Sequence, residues 1–423
     1  MATLYIYSGC CIAVRLPIRS DGYGYYAYLT SVFIDGNLNM KTAMADRWAV
    51  GGVPAVERAW NGIALYAPTG RLLDKYTMGT AVLQVPFFLV CSAVARAMGD
   101  PPYSFPYQIG SVVSALFFLG TGTYLLLQTL LARFSARTSI LTAASLIFGT
   151  SLFNNATFIC SFSHVYSFFL LSLLVYMTQT YVGEGQANES SFIPMSTLLG
   201  TVVGLIALTR IPNVVAALIP VAATFERFRR ARQVQMLVIE ILCSVLGFVF
   251  VFSLQMTYWW MVTGHLLLNS YQEEQFDWLH PHLVEFLFGA RRGMFFWSPL
   301  LLIAVVGIPR SIRLHRAIGL AIIVVLTLEI YLCASWWSWW FGMSFESRPV
   351  SDMAPLLAFP LASGLEILSE KLGRWVVAAT VSVLLAVNCF LMLSYWNGYF
   401  PRDNPSITDL VRLPRVWVFR LTR

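Results

Sequence analysis

The chain has 423 residues, 57% of them hydrophobic and only 12% charged, with a formal net charge of +7. Soluble domains carry about twice that share of charge, and a mean hydropathy of +0.67 leaves a polytopic helical membrane protein as the class in which such a backbone satisfies itself. The positive balance is no nucleic-acid signal, because the arginines gather in short loops between apolar runs.

The first apolar run, residues 4–14, is well short of the roughly 20 residues a crossing needs, so its helix either starts earlier or extends through Leu16 to Ile18. Cys10 and Cys11 follow Ser8-Gly9 and faintly suggest a lipoprotein cleavage site, without the preceding positive charge. The other cysteines (Cys91, Cys160, Cys243, Cys333 and Cys389) lie in apolar runs and read as buried small hydrophobes.

Next comes Ser20-Asp21-Gly22-Tyr23-Gly24-Tyr25-Tyr26, which opens a polar, aromatic stretch reaching Tyr76. If the first run crosses, Asp21 lies at the membrane–water boundary. Glycines let a ligand approach the backbone, and tyrosines suit a surface part apolar and part wet. Two readings stay open: the acid of an enzyme working at the bilayer face, or an Asp capping a short interfacial helix.

Further apolar runs cover 105–131, 140–153, 165–182, 192–208, 214–224, 237–260, 294–308, 317–335, 350–368 and 375–393. The expected fold is an all-α polytopic membrane protein of about eleven spans. It forms a single integral membrane domain over 1–423, with interfacial helices in a large first outer loop, 19–106. With the N-terminus inside, the basic loops 133–137, 227–232, 310–316 and 371–374 all fall on the cytoplasmic side. Segment 79–98 is apolar enough to span, but counting it puts those loops outside, and Pro86 interrupts it; it reads as re-entrant or interfacial. The same parity places 261–292, 336–348 and a short tail, 395–423, outside.

In order and topology these features resemble the GT-C membrane glycosyltransferases, which include bacterial relatives of protein mannosyltransferases and of the aminoarabinose transferase acting on lipid A. Ser20-Asp21-Gly22 resembles the motif carrying the family's base, and Asp74-Lys75-Tyr76-Thr77-Met78-Gly79 the loop motif that approaches the donor. Ser161-Phe162-Ser163-His164 falls where some relatives place a second acid, with His164 as the polar residue here. Leu208-Thr209-Arg210-Ile211-Pro212 resembles a basic turn between short helices, and 336–349 a late outer loop whose basic residue, here Arg348, meets phosphate. The resemblance implies transfer of a sugar from a polyprenyl-phosphate donor to a glycan, lipid or protein acceptor. The setting is the outer face of a bacterial inner membrane, with the lipid bilayer as surroundings and no nucleic acid; no cofactor is expected, and no metal, because the second acid of those relatives is missing at the His164 position.

Such transfer needs a base for the acceptor hydroxyl and cations for the departing phosphate. Asp21 is the base candidate, for direct displacement with inversion. Lys75, Arg348, Arg291 and Arg292 are the phosphate candidates, being cations on the outer side. Their plainer alternative is ion pairing, Arg348 with Glu346 or Asp352 and Arg291 or Arg292 with Glu285. His164, Asp74, Glu346 and Tyr25 are the residues left to bind or orient an acceptor. His265, His280, His282, Glu273, Glu274 and Asp277 match no metal-ligand spacing and read as a solvated loop. Trp336-Trp337-Ser338-Trp339-Trp340 is an interfacial anchor, a sugar-stacking platform or a groove for the prenyl chain. Glu240 reads as a locally paired or snorkelling acid, and Asn155-Ala156-Thr157 as a glycosylation pattern too near the membrane for use. The competing functions are a transporter or flippase of lipid-linked sugars, for which no internal repeat is visible, and a non-catalytic scaffold.

Overall fold

The computed structural model describes residues 18–40, 62–183 and 192–421. The short first run, Cys10 and Cys11 lie outside the described residues.

Helix α1 (Gly22–Phe33) is followed by a hairpin, β1 (Ile63–Tyr66) and β2 (Arg71–Asp74), then α2 (Gly79–Ala97) and α3 (Phe105–Leu131). Next come α4 (Ala136–Phe148), α5 (Leu152–Thr157), α6 (His164–Gly183) and α7 (Phe192–Thr209). A 3₁₀ turn, Ile211–Ala217, leads into α8 (Leu218–Ala231) and then α9 (Val234–Thr263). The short α10 (Leu283–Phe288) and α11 (Met294–Trp297) precede α12 (Leu302–Leu314) and α13 (Arg316–Ser335). The chain closes with α14 (Val350–Leu372), α15 (Arg374–Trp396) and α16 (Ile407–Leu421). Eight helices among the described residues are long and apolar enough to cross a membrane, so the chain is a multi-pass helical membrane protein.

Three of the short runs are interrupted or shortened where the sequence carries breakers. Gly149 ends α4 before the six-residue α5. Pro212 and Pro299 each start a 3₁₀ turn ahead of α8 and α12, where a missing N–H costs nothing. Helix α2 keeps Pro86 inside it and still reaches spanning length and apolarity. The hairpin was not anticipated. It pairs Ile63 with Asp74 and Tyr66 with Arg71, and Gly70 takes a φ of +66° in the turn. The tail carries a further unanticipated helix, α16, held where Trp417 Nε1 donates to Ser394 Oγ at 2.8 Å.

The contacts divide the described residues into two compact units. The first takes the described residues up to Thr123 together with Asn155–Glu274. Its tightest pair is α7 and α9, in which glycines bring the backbones together. A Cβ on Gly200 would lie 1.9 Å from the Ser244 carbonyl oxygen, and one on Gly247 2.3 Å from that of Thr197. A core of Tyr26, Tyr28, Leu73, Phe88, Tyr258 and Trp259 ties α1, the hairpin, α2 and α9 together.

The second unit takes Tyr124–Asn154 and the residues from Gln275 onward. Its tightest pair is α12 and α14, where a Cβ on Gly307 would meet the Pro360 carbonyl oxygen at 1.8 Å and one on Gly364 that of Ile303 at 2.0 Å. Helix α14 is buried all round from Val350 to Leu365, as expected of the central helix of a bundle. Ser151 just after α4 donates to the Ser347 carbonyl at 3.1 Å at the start of α14.

Candidate catalytic site

In the first unit Asp21 sits at the N-cap position of α1, yet its side chain makes no capping hydrogen bond. Ser20, with a left-handed φ of +42°, turns the chain into the helix and donates from Oγ to Asp21 Oδ1 at 3.4 Å. The Asp21 carboxyl lies near enough to the Tyr76 hydroxyl for its charge to act on that phenol. Gly22 is required where it stands, because a Cβ there would lie 2.0 Å from Ser161 Oγ.

The hairpin explains why Tyr76 arrives at Asp21. Strand β2 buries Asp74 completely, and its Oδ1 accepts from the Tyr76 amide at 2.9 Å. The Tyr76 carbonyl accepts from the Tyr28 hydroxyl of α1 at 2.7 Å, and the Tyr76 ring lies 4.6 Å from that of Tyr25. Tyr25 is anchored in turn through its hydroxyl to Ser163 Oγ at 3.1 Å. Burial pushes the Asp74 carboxyl well above the usual carboxylate range, although the Tyr76 amide and the Lys75 charge pull it the other way. Asp74 is therefore an internal brace rather than a group offered to an acceptor.

Lys75, next in the chain, points away from that brace. Its ammonium makes a 2.6 Å ion pair with Glu274 and lies 5.4 and 5.3 Å from the ring centroids of Tyr76 and Tyr271. Burial raises the ionisation of Tyr76 well above the ordinary phenol value, and the charge on Asp21 adds to it. Tyr271 is raised by burial first, with Tyr25, Asp21 and Glu274 adding and Arg210 opposing. Both phenols thus stay protonated as donors. Arg210 lies at the turn after α7, its Nη1 3.0 Å from Nδ1 and 3.2 Å from Nε2 of His164, which is buried at the start of α6. An acid, buried phenols, a lysine and an arginine–imidazole pair are thereby gathered in one unit.

The remaining candidates belong to the second unit. Arg291 donates to Asp403 at 3.0 Å, not to Glu285, and stacks 3.7 Å from the Trp340 ring centroid. Arg292 is fully enclosed; it donates to the Arg291 and Arg402 carbonyls, and burial pulls it down to about 10. Arg348 donates to the Phe341 carbonyl at 2.6 Å. Glu346 is wholly buried and accepts from Ser298 Oγ; among the described residues its second carboxyl oxygen has no partner, and burial raises it well above the carboxylate range.

Elsewhere Glu240 is held by Arg227 at 2.6 Å and Tyr181 at 2.8 Å. Asn155 is only 1% exposed, which closes the glycosylation pattern to an enzyme. His280 pairs with Asp277 and His282 with Glu285, at 3.4 and 4.0 Å. No cluster of three metal-type ligands is present among the described residues.

Sequence reasoning did not select Arg210, Tyr76, Tyr271 or Glu274 as site residues. The first two lay inside motifs already singled out. Tyr271 and Glu274 carried no local signal, since they reach Lys75 from nearly 200 positions away.

No protein family and no curated protein matches the chain. Among solved structures, the crystal structure of ArnT from Cupriavidus metallidurans bound to undecaprenyl phosphate is similar over 99% of this chain and 72% of that one, at 14% identity and a TM-score of 0.48.

Proposed function

We propose that this chain is a membrane glycosyltransferase of the GT-C kind, moving a sugar from a polyprenyl-phosphate donor to an acceptor hydroxyl at the outer face of a bacterial inner membrane. The observation that carries the reading is the state of Asp21. It stands at a helix start without capping it, and a buried phenol with lysine and arginine nearby surrounds it.

In this reading Asp21 takes the acceptor proton as the hydroxyl attacks the anomeric carbon, and the sugar–phosphate bond breaks with inversion. The electron pair leaves with the lipid phosphate, so no separate acid is needed. Lys75 and Arg210 neutralise that phosphate, and the Tyr76 hydroxyl fixes the carboxylate it faces. In the second unit Arg348 is the cation we assign to anion binding; Arg291 and Arg292 are engaged with Asp403 and with backbone carbonyls and serve to shape their loop.

The test is reconstitution in vesicles with radiolabelled polyprenyl-phosphate sugars. Label should leave the lipid fraction for an acceptor fraction, and the chain should bind undecaprenyl phosphate alone. Label that only equilibrates between leaflets, without leaving the lipid, overturns the transferase in favour of a flippase.

A further inference from the structure

The loop before α10 was expected to be solvated, and its exposed residues are of the wrong kind for that. Leu279 is 86% exposed, Val284 71%, Phe288 55% and Trp278 49%. Val284 and Phe288 are four apart on α10 and share a face, whereas Phe286, about 200° round from Val284, is buried completely. A water-facing loop this apolar over so short a stretch calls for a partner.

The structure indicates which partner. Backbone bonds fasten the loop to the last turn of α13, from the Asp277 amide to the Ser335 carbonyl at 2.7 Å and from the His282 amide to that of Ala334 at 2.9 Å. Helix α13 is one of the membrane-crossing candidates. Leu320, Val324 and Thr327 form its exposed stripe, and Tyr331 continues it at the same spacing. The Trp278 ring stacks on Tyr331 at 6.1 Å, and the Tyr331 hydroxyl donates to the Trp278 carbonyl at 2.6 Å. Tyr331 lies about 6 Å below the end of the helix, at 1.5 Å per residue. The loop therefore prolongs the stripe that α13 turns toward lipid. Phe276 packs behind Trp278 at 4.6 Å and meets Trp336 edge-on at 4.8 Å.

We propose that residues 276–288 are a membrane-embedded hairpin of this protein, with Trp278 at headgroup level and Leu279, Val284 and Phe288 among the acyl chains at the C-terminal end of α13. Its occupant is phospholipid. His280, with its side chain 83% exposed, and Asp277 form the polar edge that stays in water.

The native chain, reconstituted in phosphatidylcholine vesicles doped with a lipid bearing a diazirine on its acyl chain, is irradiated and its adducts mapped by mass spectrometry. Adducts on 278–288 as well as on the Leu320–Val324 stripe are expected; labelling of that stripe alone overturns the proposal. Independently, nitroxides are placed by Leu279→Cys and His280→Cys in a background without other reactive cysteines. Oxygen should reach the label at position 279 several-fold better, relative to a water-soluble nickel complex, than the label at 280. Equal nickel access, or spin–spin broadening at 279 that shows a second copy covering it, also overturns the proposal.

Discussion

The Tyr76 amide donates to Asp74 Oδ1 at 2.9 Å and the Tyr76 carbonyl accepts from the Tyr28 hydroxyl at 2.7 Å, which fixes the phenol on which the Asp21 charge acts. The phenol beside Asp21 is thus held by the fold on both flanks of its peptide unit, leaving it little freedom to follow the acid if the acid moves.

Asp21→Asn should cut sugar transfer by about 100- to 10,000-fold, the usual cost of losing a general base. The thermal midpoint in detergent should stay put, because the Asp21 side chain caps nothing. Undecaprenyl phosphate binding should also persist. Transfer at the wild-type rate would remove Asp21 as the base.

Tyr76→Phe keeps the ring against Tyr25 and removes only the hydroxyl. We expect a roughly tenfold slower transfer with lipid-phosphate affinity unchanged, since the phenol hydroxyl beside the reacting carboxylate is lost. An affinity change without a rate change would place the hydroxyl at the phosphate instead.

Lys75 and its partner should move the same measurement in opposite directions. Lys75→Met loses a charge-assisted contact worth about 1.5–3 kcal/mol, so undecaprenyl phosphate should bind at least tenfold more weakly. Glu274→Gln releases the ammonium from its 2.6 Å pair. Since both partners are about a quarter exposed, the gain is limited to about 1 kcal/mol, or up to about fivefold tighter binding. Titration calorimetry on the two variants decides.

Much of this arrangement could be read in the sequence, and the reasons for the rest are specific. Asp21, the apolar runs and the turn at Pro212 are local signals, each visible within a few residues, whereas the breaks at Gly149 and Pro299 fall inside runs that read as continuous. The hairpin had one as well, Pro68-Thr69-Gly70 between two apolar stretches, but its strands are so short that they vanish beside the spans. Recognising it would have shown that Asp74 and Lys75 face opposite ways. That Glu274 pairs with Lys75, or that Arg291 pairs with Asp403, depends on chain pairings with no sequence period. In loop 276–288 the histidines and acids are exposed, as a solvated loop requires, while Leu279, Val284 and Phe288 between them follow no period that the sequence alone would single out.

Glu346 sets a pH dependence. Its carboxyl titrates far higher in the folded chain than the roughly 4.3 of an unfolded one, so the folded state binds more protons. Its protonated form is favoured by folding at low pH, and stability falls as pH rises above about 4, by up to about 1.4 kcal/mol per unit until the folded group ionises. Glu346→Gln, neutral throughout, should flatten that part of the curve and melt higher than wild type at pH 8. Parallel melting curves for the two proteins from pH 4 to 8 would refute this.

Glu240→Ala should destabilise the first unit by about 3–5 kcal/mol, because Arg227 loses its 2.6 Å partner in a largely enclosed place. Adding Arg227→Met should recover most of the loss. A double variant no better than the single would show that packing, not charge, is at stake there.

The glycine contacts bear on how the chain is assembled. In each unit the tightest pair joins helices that are not consecutive: α7 meets α9 across α8, and α12 meets α14 across α13. Neither pair can close while its second member is still being threaded into the bilayer, so the intervening helix must wait with its flanks turned to lipid. A bulky residue at Gly200 or Gly307 would leave insertion of every helix intact and strand the chain at this last step, fully threaded yet unassembled, where it is exposed to membrane proteases. Such variants would be lost through turnover in the cell rather than through failed translocation.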